Sequence, residues 1–276
     1  MGLVSSFGSI NQIRQNTPLT DDMIHRAAPS IFADAPHESR SDRYHYIPTI
    51  DVVNALRSEG FFPFFAAQTN VRKADKREHT KHMLRLRHAS QINAQEANEI
   101  ILVNSHDGSS SYQMLAGMFR FVCCNGMVCG NTVGDVRVRH SGKGDIIGEV
   151  IEGAYTVRDS FEIIENERDT MRSIQLTPQL QHGLAQAVLN YKHDDPLRPA
   201  PINAEQLLRA RRQEDRPNDL WSTTNRIQEN VIKGGLSGRN AKGKRTTTRA
   251  VKGIDQDLKL NKALWAFSME MAKLIN

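Results

Sequence analysis

The middle of the chain alternates apolar and polar residues, which is the pattern of β-strands with two different faces. The segment HMLRLRH at 82–88 sets histidines and leucines on one face and a methionine and two arginines on the other. Strand-like runs follow at 99–104, 112–122 and 135–140, with turn residues between them, among them the type I′ pair Asn125-Gly126. We therefore predict an antiparallel β-meander of about four or five strands.

From about residue 147 the apolar residues recur at helical intervals, which predicts one long helix as far as about Ile174. Ahead of the strands, Thr20 and Thr49 are expected to cap two short helices. Further helices are expected from Pro178 to about His193, from Asn203, from Asp219 to Ile232 and from Asp255 to Leu274.

Strands grouped before helices predict an α+β fold, in which the Arg-bearing strands of an antiparallel β-meander pack against C-terminal helices. We expect an N-terminal arm at 1–45 and an α+β core domain at 46–193 that contains the meander and the long helix. A helical C-terminal part at 194–276 would then carry a basic loop at 237–253.

The composition is that of a globular protein, because 39% of the 276 residues are apolar and 24% are charged. Three cysteines, Cys123, Cys124 and Cys129, make an odd set that builds no disulfide framework, and they indicate a reducing, cytoplasmic compartment. The chain shows neither a secretory signal nor an apolar run long enough to span a membrane. We therefore expect a cytoplasmic protein without a membrane partner.

Basic residues are concentrated in three places, although the formal net charge is only +5. The segment 71–88 carries seven cations against two acidic residues, and the loop 237–253 carries six against none. The third place is the predicted strands themselves, whose arginines would all project from one face of the sheet in the register that we assume. The candidate residues for nucleic-acid binding are Arg72, Lys73, Lys76, Arg77, Lys81, Arg85, Arg87, Arg120, Arg137, Arg139, Arg239, Lys242, Lys244, Arg245, Arg249 and Lys252. Because the loop has no acidic residue, we expect it to be mobile until a polyanion orders it.

Histidines and cysteines are weaker candidates for chemistry. His79 and His82 have H-x-x-H spacing, but the cysteines form no C-x-x-C pair, and we expect neither a structural metal nor a cofactor. The polar turn that contains His106 and Asp107 leaves catalysis open as an alternative. That alternative requires both side chains to meet a cysteine or an acid, such as Glu99, in one cleft.

The stretch LVNSHDGSSSYQMLAGMFRFVCCNGMV at 102–128 resembles the phage/plasmid-like protein family, a prokaryotic domain of unknown function found in prophages, plasmids and integrative elements. PTIDVVNALRSEGFFP at 48–63, KHMLRLRH at 81–88 and DLWSTTNRIQENVIKGG at 219–235 fit the same family, so the resemblance extends from roughly Ile47 to the C-terminus. It implies a mobile genetic element, where recombination or DNA protection is expected. It also suggests a likeness to phage single-strand annealing proteins, which assemble into rings or filaments.

Charge and resemblance together favour a protein that binds or anneals nucleic acid, with single-stranded DNA as the expected ligand and a homo-oligomer as the expected form. The arginines of the meander would hold phosphates, and the loop 237–253 would close over the strand or contact a neighbouring copy. Two alternatives stay open. One is a hydrolase or nuclease centred on His106 and Asp107, and the other is an anti-defence protein that binds a host protein.

Overall fold

A computed structural model describes residues 11–41, 43–71, 76–91, 96–121, 125–129, 135–138, 140 and 146–275. The strands are β1 Gln12–Arg14, β2 Phe61–Gln68, β3 His82–His88, β4 Glu96–Asn104, β5 Tyr112–Arg120, β6 Asn125–Val128, β7 Val136–Val138, β8 Ser237–Arg239 and β9 Arg245–Thr247. The helices are α1 Asp21–Ala27, α2 Thr49–Ser58, α3 Ile146–Asp159, α4 Phe161–Ser173, α5 Pro178–Lys192, α6 Ala204–Leu207, α7 Leu220–Lys233 and α8 Ile254–Ile275. The predicted α+β class with an antiparallel sheet is confirmed.

The chain divides into two compact units, one made of Met1–Phe119 with Gly134–Asp159 and the other of Arg120–Val133 with Ser160–Asn276. These boundaries differ from the expected ones at residues 46 and 194. The described residues before 46 also do not form a loose arm. The strand β1 pairs with β2, and Ile24 and Ile31 are completely buried, because apolar side chains in this segment belong to the core of the first unit.

The first unit is built on an antiparallel sheet in which β1, β2, β3, β4 and β5 are neighbours in that order, and β7 pairs with β5. The helix α3 lies close to this sheet at Gly153. A Cβ atom there would be 2.4 Å from Cε of Met114 on β5 and 2.7 Å from Cγ1 of Val136 on β7, so a larger residue would force these side chains to shift. The register of β3 on β4 sets Arg87 opposite Glu99.

The second unit contains α4 to α8, the strand β6 and the two-stranded hairpin β8–β9. Its innermost helix is α7, whose residues from Leu220 to Val231 are all buried. The Asp219 side chain caps this helix by accepting a hydrogen bond from the Ser222 backbone N–H. Gly234, with φ +63°, follows the last helical residue, as the Gly-Gly stop signal predicts.

Three expectations about local structure were wrong. The long helix is two helices, α3 and α4, which end and begin around Ser160. The Asn125-Gly126 pair begins β6 instead of forming a turn. Thr49 is the first residue of α2 and not its cap, since Pro48 holds that position and the Thr49 hydroxyl bonds elsewhere.

Within the described ranges, no helix has both the length and the apolar character that crossing a bilayer requires.

Candidate nucleic-acid interface

The basic loop predicted at 237–253 begins as a β-hairpin. Its two strands are joined at Asn240–Lys244, where the Asn240 side-chain oxygen accepts hydrogen bonds of 3.0 Å from the backbone N–H groups of Lys242 and Lys244. Gly243 supplies the positive φ, +72°, that closes the turn. Turn chemistry and cross-strand pairing thus give residues 237–247 a regular β-hairpin conformation, and the expected ordering of the loop by a polyanion stays a prediction.

The outer edge of β8 and the face that carries Gly238 contact the rest of the second unit. The backbone N–H of Arg239 donates to the Pro201 carbonyl at 2.9 Å, and the Gln206 side chain donates to the Ser237 carbonyl at 2.8 Å. A Cβ atom on Gly238 would lie 1.8 Å from the Pro201 oxygen, so only glycine allows this contact. The opposite face of the hairpin is left to solvent.

All six cations of the segment are exposed, and its 17 residues contain no carboxylate. Across the described part of the chain, none of the six forms an ion pair. They are Arg239, Lys242, Lys244, Arg245, Arg249 and Lys252. A shallow open concavity follows the hairpin and is lined by the residues of both strands, Ser237–Arg239 and Arg245–Thr247. Such a surface presents positive charge to any polyanion that approaches it.

The arginines of β3 do not form part of a solvent-facing track, contrary to expectation. Arg85 and Arg87 are completely buried and flank the buried Glu99, with guanidinium-to-carboxylate distances of 3.1 and 2.9 Å. The Arg87 guanidinium also lies 3.6 Å from the ring centre of Phe119. A buried cation needs a carboxylate partner, and this pairing withdraws both arginines from external phosphates.

Arg120 is a second correction of the same kind, now in the second unit. Its Nη1 lies 2.8 Å from Oδ1 of Asp215, and both side chains are largely buried. Arg226 on α7 is similarly enclosed, and it donates hydrogen bonds to the side chains of Gln181 and Thr223. Burial lowers the pKa of Arg226, although nearby Asp215 acts in the opposite direction. These cations belong to the interior of the unit.

Four predicted cations of the first unit remain candidates for phosphate binding. Arg77 and Arg137 are exposed, and Lys76 and Lys81 are half-buried beside the start of β3. The other three predicted residues, Arg72, Lys73 and Arg139, lie outside the described residues. The structure therefore gathers one group of exposed cations, on the hairpin segment, and leaves the described cations of the first unit in separate places on β7 and ahead of β3.

The two residues of the alternative catalytic pair lie in different environments. His106 is fully buried, whereas Asp107 is half-exposed and its carboxylate accepts a 2.9 Å hydrogen bond from the Ser109 backbone N–H within the turn. Cys123 and Cys124, two of the cysteines that this alternative would need beside the pair, lie outside the described residues. His106 joins instead a buried cluster of hydroxyl, amide and imidazole groups in the first unit.

Thr49 is the centre of this buried histidine cluster, which comprises Thr49, His82, Asn104, His106 and His140. Its Oγ1 lies 2.9 Å from Nε2 of His82 and 3.4 Å from Nε2 of His106, and it accepts a 3.1 Å hydrogen bond from the Asn104 amide. The Asn104 side-chain oxygen is 2.8 Å from Nε2 of His140, which is half-buried. A continuous set of hydrogen bonds thus leads from the half-buried His140 into the core.

The hydrogen bonds assign the proton positions on His82. Ser30 Oγ donates to the Gln68 side chain, so it accepts from Nδ1–H of His82, and Nε2 of His82 accepts from the Thr49 hydroxyl. Burial lowers the pKa of His82 to about 3. Burial, with the neighbouring His82, lowers that of His106 to about 2. Both imidazoles are consequently neutral at physiological pH.

Sequence reasoning missed the cluster because its central residues imitate ordinary structural ones. Thr49 stands where a helix cap is expected, and Asn104 stands at a strand end. The available signal was His82 and His106 within or next to apolar strands, where a polar side chain must find a buried partner. Among the described residues, no group of three or more histidines, cysteines and carboxylates is arranged to hold a metal ion.

Comparison with known proteins gives one family and close relatives. The model of a family described as a domain of unknown function (DUF932) matches residues 36–265. Two Escherichia coli (strain K12) proteins, UPF0380 protein YfjQ and UPF0380 protein YafZ, are 57% and 56% identical over 266 residues. Each alignment covers 96% of this chain and 96% of the relative. No solved structure matches the chain.

Proposed function

The chain belongs to the DUF932 family, and we propose that it binds the phosphate backbone of nucleic acid at the hairpin segment 237–253. The family description assigns no activity, so the proposal depends on the chain itself. The observation that carries it is a set of six exposed cations on a segment without any carboxylate. Neutralisation of phosphates by such cations releases counterions and is the main source of sequence-independent binding.

The ligand that we propose is single-stranded DNA. A shallow, open surface accommodates a flexible strand, which can follow its contour without a groove of fixed width. The hairpin offers no aromatic side chain for base stacking, since residues 237–253 contain none. Affinity should therefore come from phosphates and be nearly independent of base sequence.

We extend the proposal to a homo-oligomer that acts in recombination or DNA protection for a mobile genetic element. Six cations contact only a short length of strand, so one copy alone would bind weakly at physiological salt. Several copies on one strand act together and raise the overall affinity without any new type of contact.

The two alternatives receive less support from the described residues. A hydrolase centred on His106 and Asp107 needs both groups at one accessible place, but His106 is enclosed and Asp107 is bonded within its turn. An anti-defence protein that binds a host protein stays a prediction.

The test compares two variants that lose the same charge. In the hairpin variant, Arg239, Lys242, Lys244 and Arg245 are replaced by alanine. In the control variant, four exposed cations elsewhere in the second unit are replaced by alanine, namely Arg172, Arg198, Arg216 and Lys273. Fluorescence anisotropy with labelled oligothymidylate at about 50 mM salt should show a large loss of affinity in the hairpin variant only. Equal losses of affinity in the two variants would show that only net charge matters. The proposal would be refuted if the hairpin variant lost no affinity, or if the unaltered protein did not bind.

A further inference from the structure

The exposed face of the hairpin consists of two cross-strand pairs. The register sets Ser237 opposite Thr247 and Arg239 opposite Arg245, and all four residues are exposed. The residues between them, Gly238 and its partner, are less exposed and belong to the other face. Because members of one face are two residues apart, the hydroxyl pair and the arginine pair are separated by about 6.7 Å along the strands.

The arginine pair is unfavourable in the free protein. Like charges directly opposite each other on one face of a sheet repel, and here no carboxylate of the described chain is paired with either guanidinium. The Arg239 guanidinium donates to the Gly243 carbonyl at 2.8 Å, which holds it at the turn end of the hairpin. A single anion between the two guanidinium groups would remove the repulsion and offer each group an acceptor.

We propose that this face holds two successive phosphates of one strand, the first between Arg239 and Arg245 and the second between the hydroxyls of Ser237 and Thr247. The inference rests on the proposed function and adds the path of the nucleic-acid strand, whose backbone lies along β8 and β9. Successive phosphates are separated by a sugar and its two ester linkages, which span a distance comparable to that between the pairs. Guanidinium groups match the paired oxygens of a phosphate, and hydroxyls donate to the next one.

This arrangement predicts a distinctive pattern of mutational effects. Arg239 and Arg245 share one phosphate, so the loss of either should remove most of the site. Replacement of one by alanine should weaken oligothymidylate binding about tenfold, and replacement of both should weaken it less than about twofold further. The two lysines of the turn, Lys242 and Lys244, share no phosphate, so the losses of affinity from their single replacements should multiply in the double variant.

The hydroxyl pair provides an independent measurement. The double variant Ser237→Ala with Thr247→Val should weaken binding several-fold and leave the salt dependence unchanged, because no charge is removed. Oligothymidylate with a neutral methylphosphonate backbone should not bind, whereas inorganic polyphosphate should compete. Circular dichroism and thermal melting of each variant verify that the fold persists.

Different failures are distinguishable. If the two arginine effects multiply and the hydroxyl variant binds normally, while the four-residue hairpin variant still loses affinity, the hairpin binds nucleic acid without this paired geometry. If every hairpin variant binds as the unaltered protein does, the proposed function itself is refuted. Lysine at both arginine positions separates charge from geometry, because it should preserve the salt dependence and lose affinity.

Discussion

Acidification should destabilise this protein well before its carboxylates titrate. His82 and His106 are held neutral in the folded state, because burial lowers their pKa values to about 3 and about 2. In the unfolded chain both imidazoles recover an ordinary pKa of about 6.5. The two neutral histidines therefore make their full contribution to stability above pH ~6.5. This contribution is lost progressively as the pH falls toward their folded-state pKa values.

The magnitude follows from the protons that the unfolded chain binds. At pH 5 each histidine of an unfolded chain gains about 2 kcal/mol from protonation, and a folded-state pKa of about 3 or below gives no matching gain. The two buried histidines together should lower the free energy of unfolding by about 4 kcal/mol between pH 7.5 and pH 5. That loss is a large part of the stability of a typical domain, about 5–15 kcal/mol.

The other titrating groups considered, His140 of the cluster and Asp107 in the neighbouring turn, do not reverse this sign. Burial also lowers the pKa of His140, which adds a loss in the same direction. For Asp107, burial acts to raise the pKa, but hydrogen bonds from Ser109 outweigh it and the net shift is downward. The contribution of Asp107 is therefore lost below its ordinary value of about 3.9, outside the window of this experiment.

Urea unfolding followed by far-ultraviolet circular dichroism at several pH values between about 7.5 and 5 measures the loss. His106→Gln should reduce the slope of the unfolding free energy against pH by about one proton. Imidazole NMR signals of His82 and His106 should show no protonation in the native protein down to about pH 5. A drop in stability smaller than about 1 kcal/mol, or native-state protonation near pH 6.5, would contradict the reasoning.

Three substitutions test the buried pairs and the hairpin contact. Glu99→Gln removes the carboxylate between the two arginines of β3 and should cost about 3–5 kcal/mol of unfolding free energy, measured by urea denaturation. Asp215→Asn should cost a similar amount by weakening the bond to Arg120, and a double variant with leucine at 215 and methionine at 120 should recover much of it. Gly238→Ala introduces a Cβ atom that would be 1.8 Å from the Pro201 oxygen, so it should displace the hairpin and weaken oligothymidylate binding while the circular dichroism spectrum of the helices persists.

The alternating pattern was sufficient to predict the strands but not what covers them. HMLRLRH does place its arginines on one face, yet that face is interior because Glu99 stands opposite Arg87 in the register. Sequence spacing gives the period of a strand and not the identity of its cross-strand neighbour. An arginine that pairs with a buried carboxylate therefore looks, in the sequence alone, like an arginine that faces solvent.

The hairpin escaped prediction for a different reason. Its strands have three residues each, which is too short to show an alternation of apolar and polar positions. The local signal was the turn chemistry, an asparagine at 240 and a glycine at 243. The charge of the segment was readable from the sequence, and the ordered face on which Arg239 and Arg245 meet was not.

The salt dependence of binding tests the central claim most directly. If the six cations of segment 237–253 contact about five phosphates of a single strand, because Arg239 and Arg245 share one, the logarithm of the binding constant should fall with the logarithm of salt concentration with a slope of about −3.5. Replacement of all six cations by alanine should bring the slope close to zero, and the Arg172, Arg198, Arg216 and Lys273 control should retain it. A slope that stays the same after the six replacements would show that the strand binds elsewhere and would contradict the account.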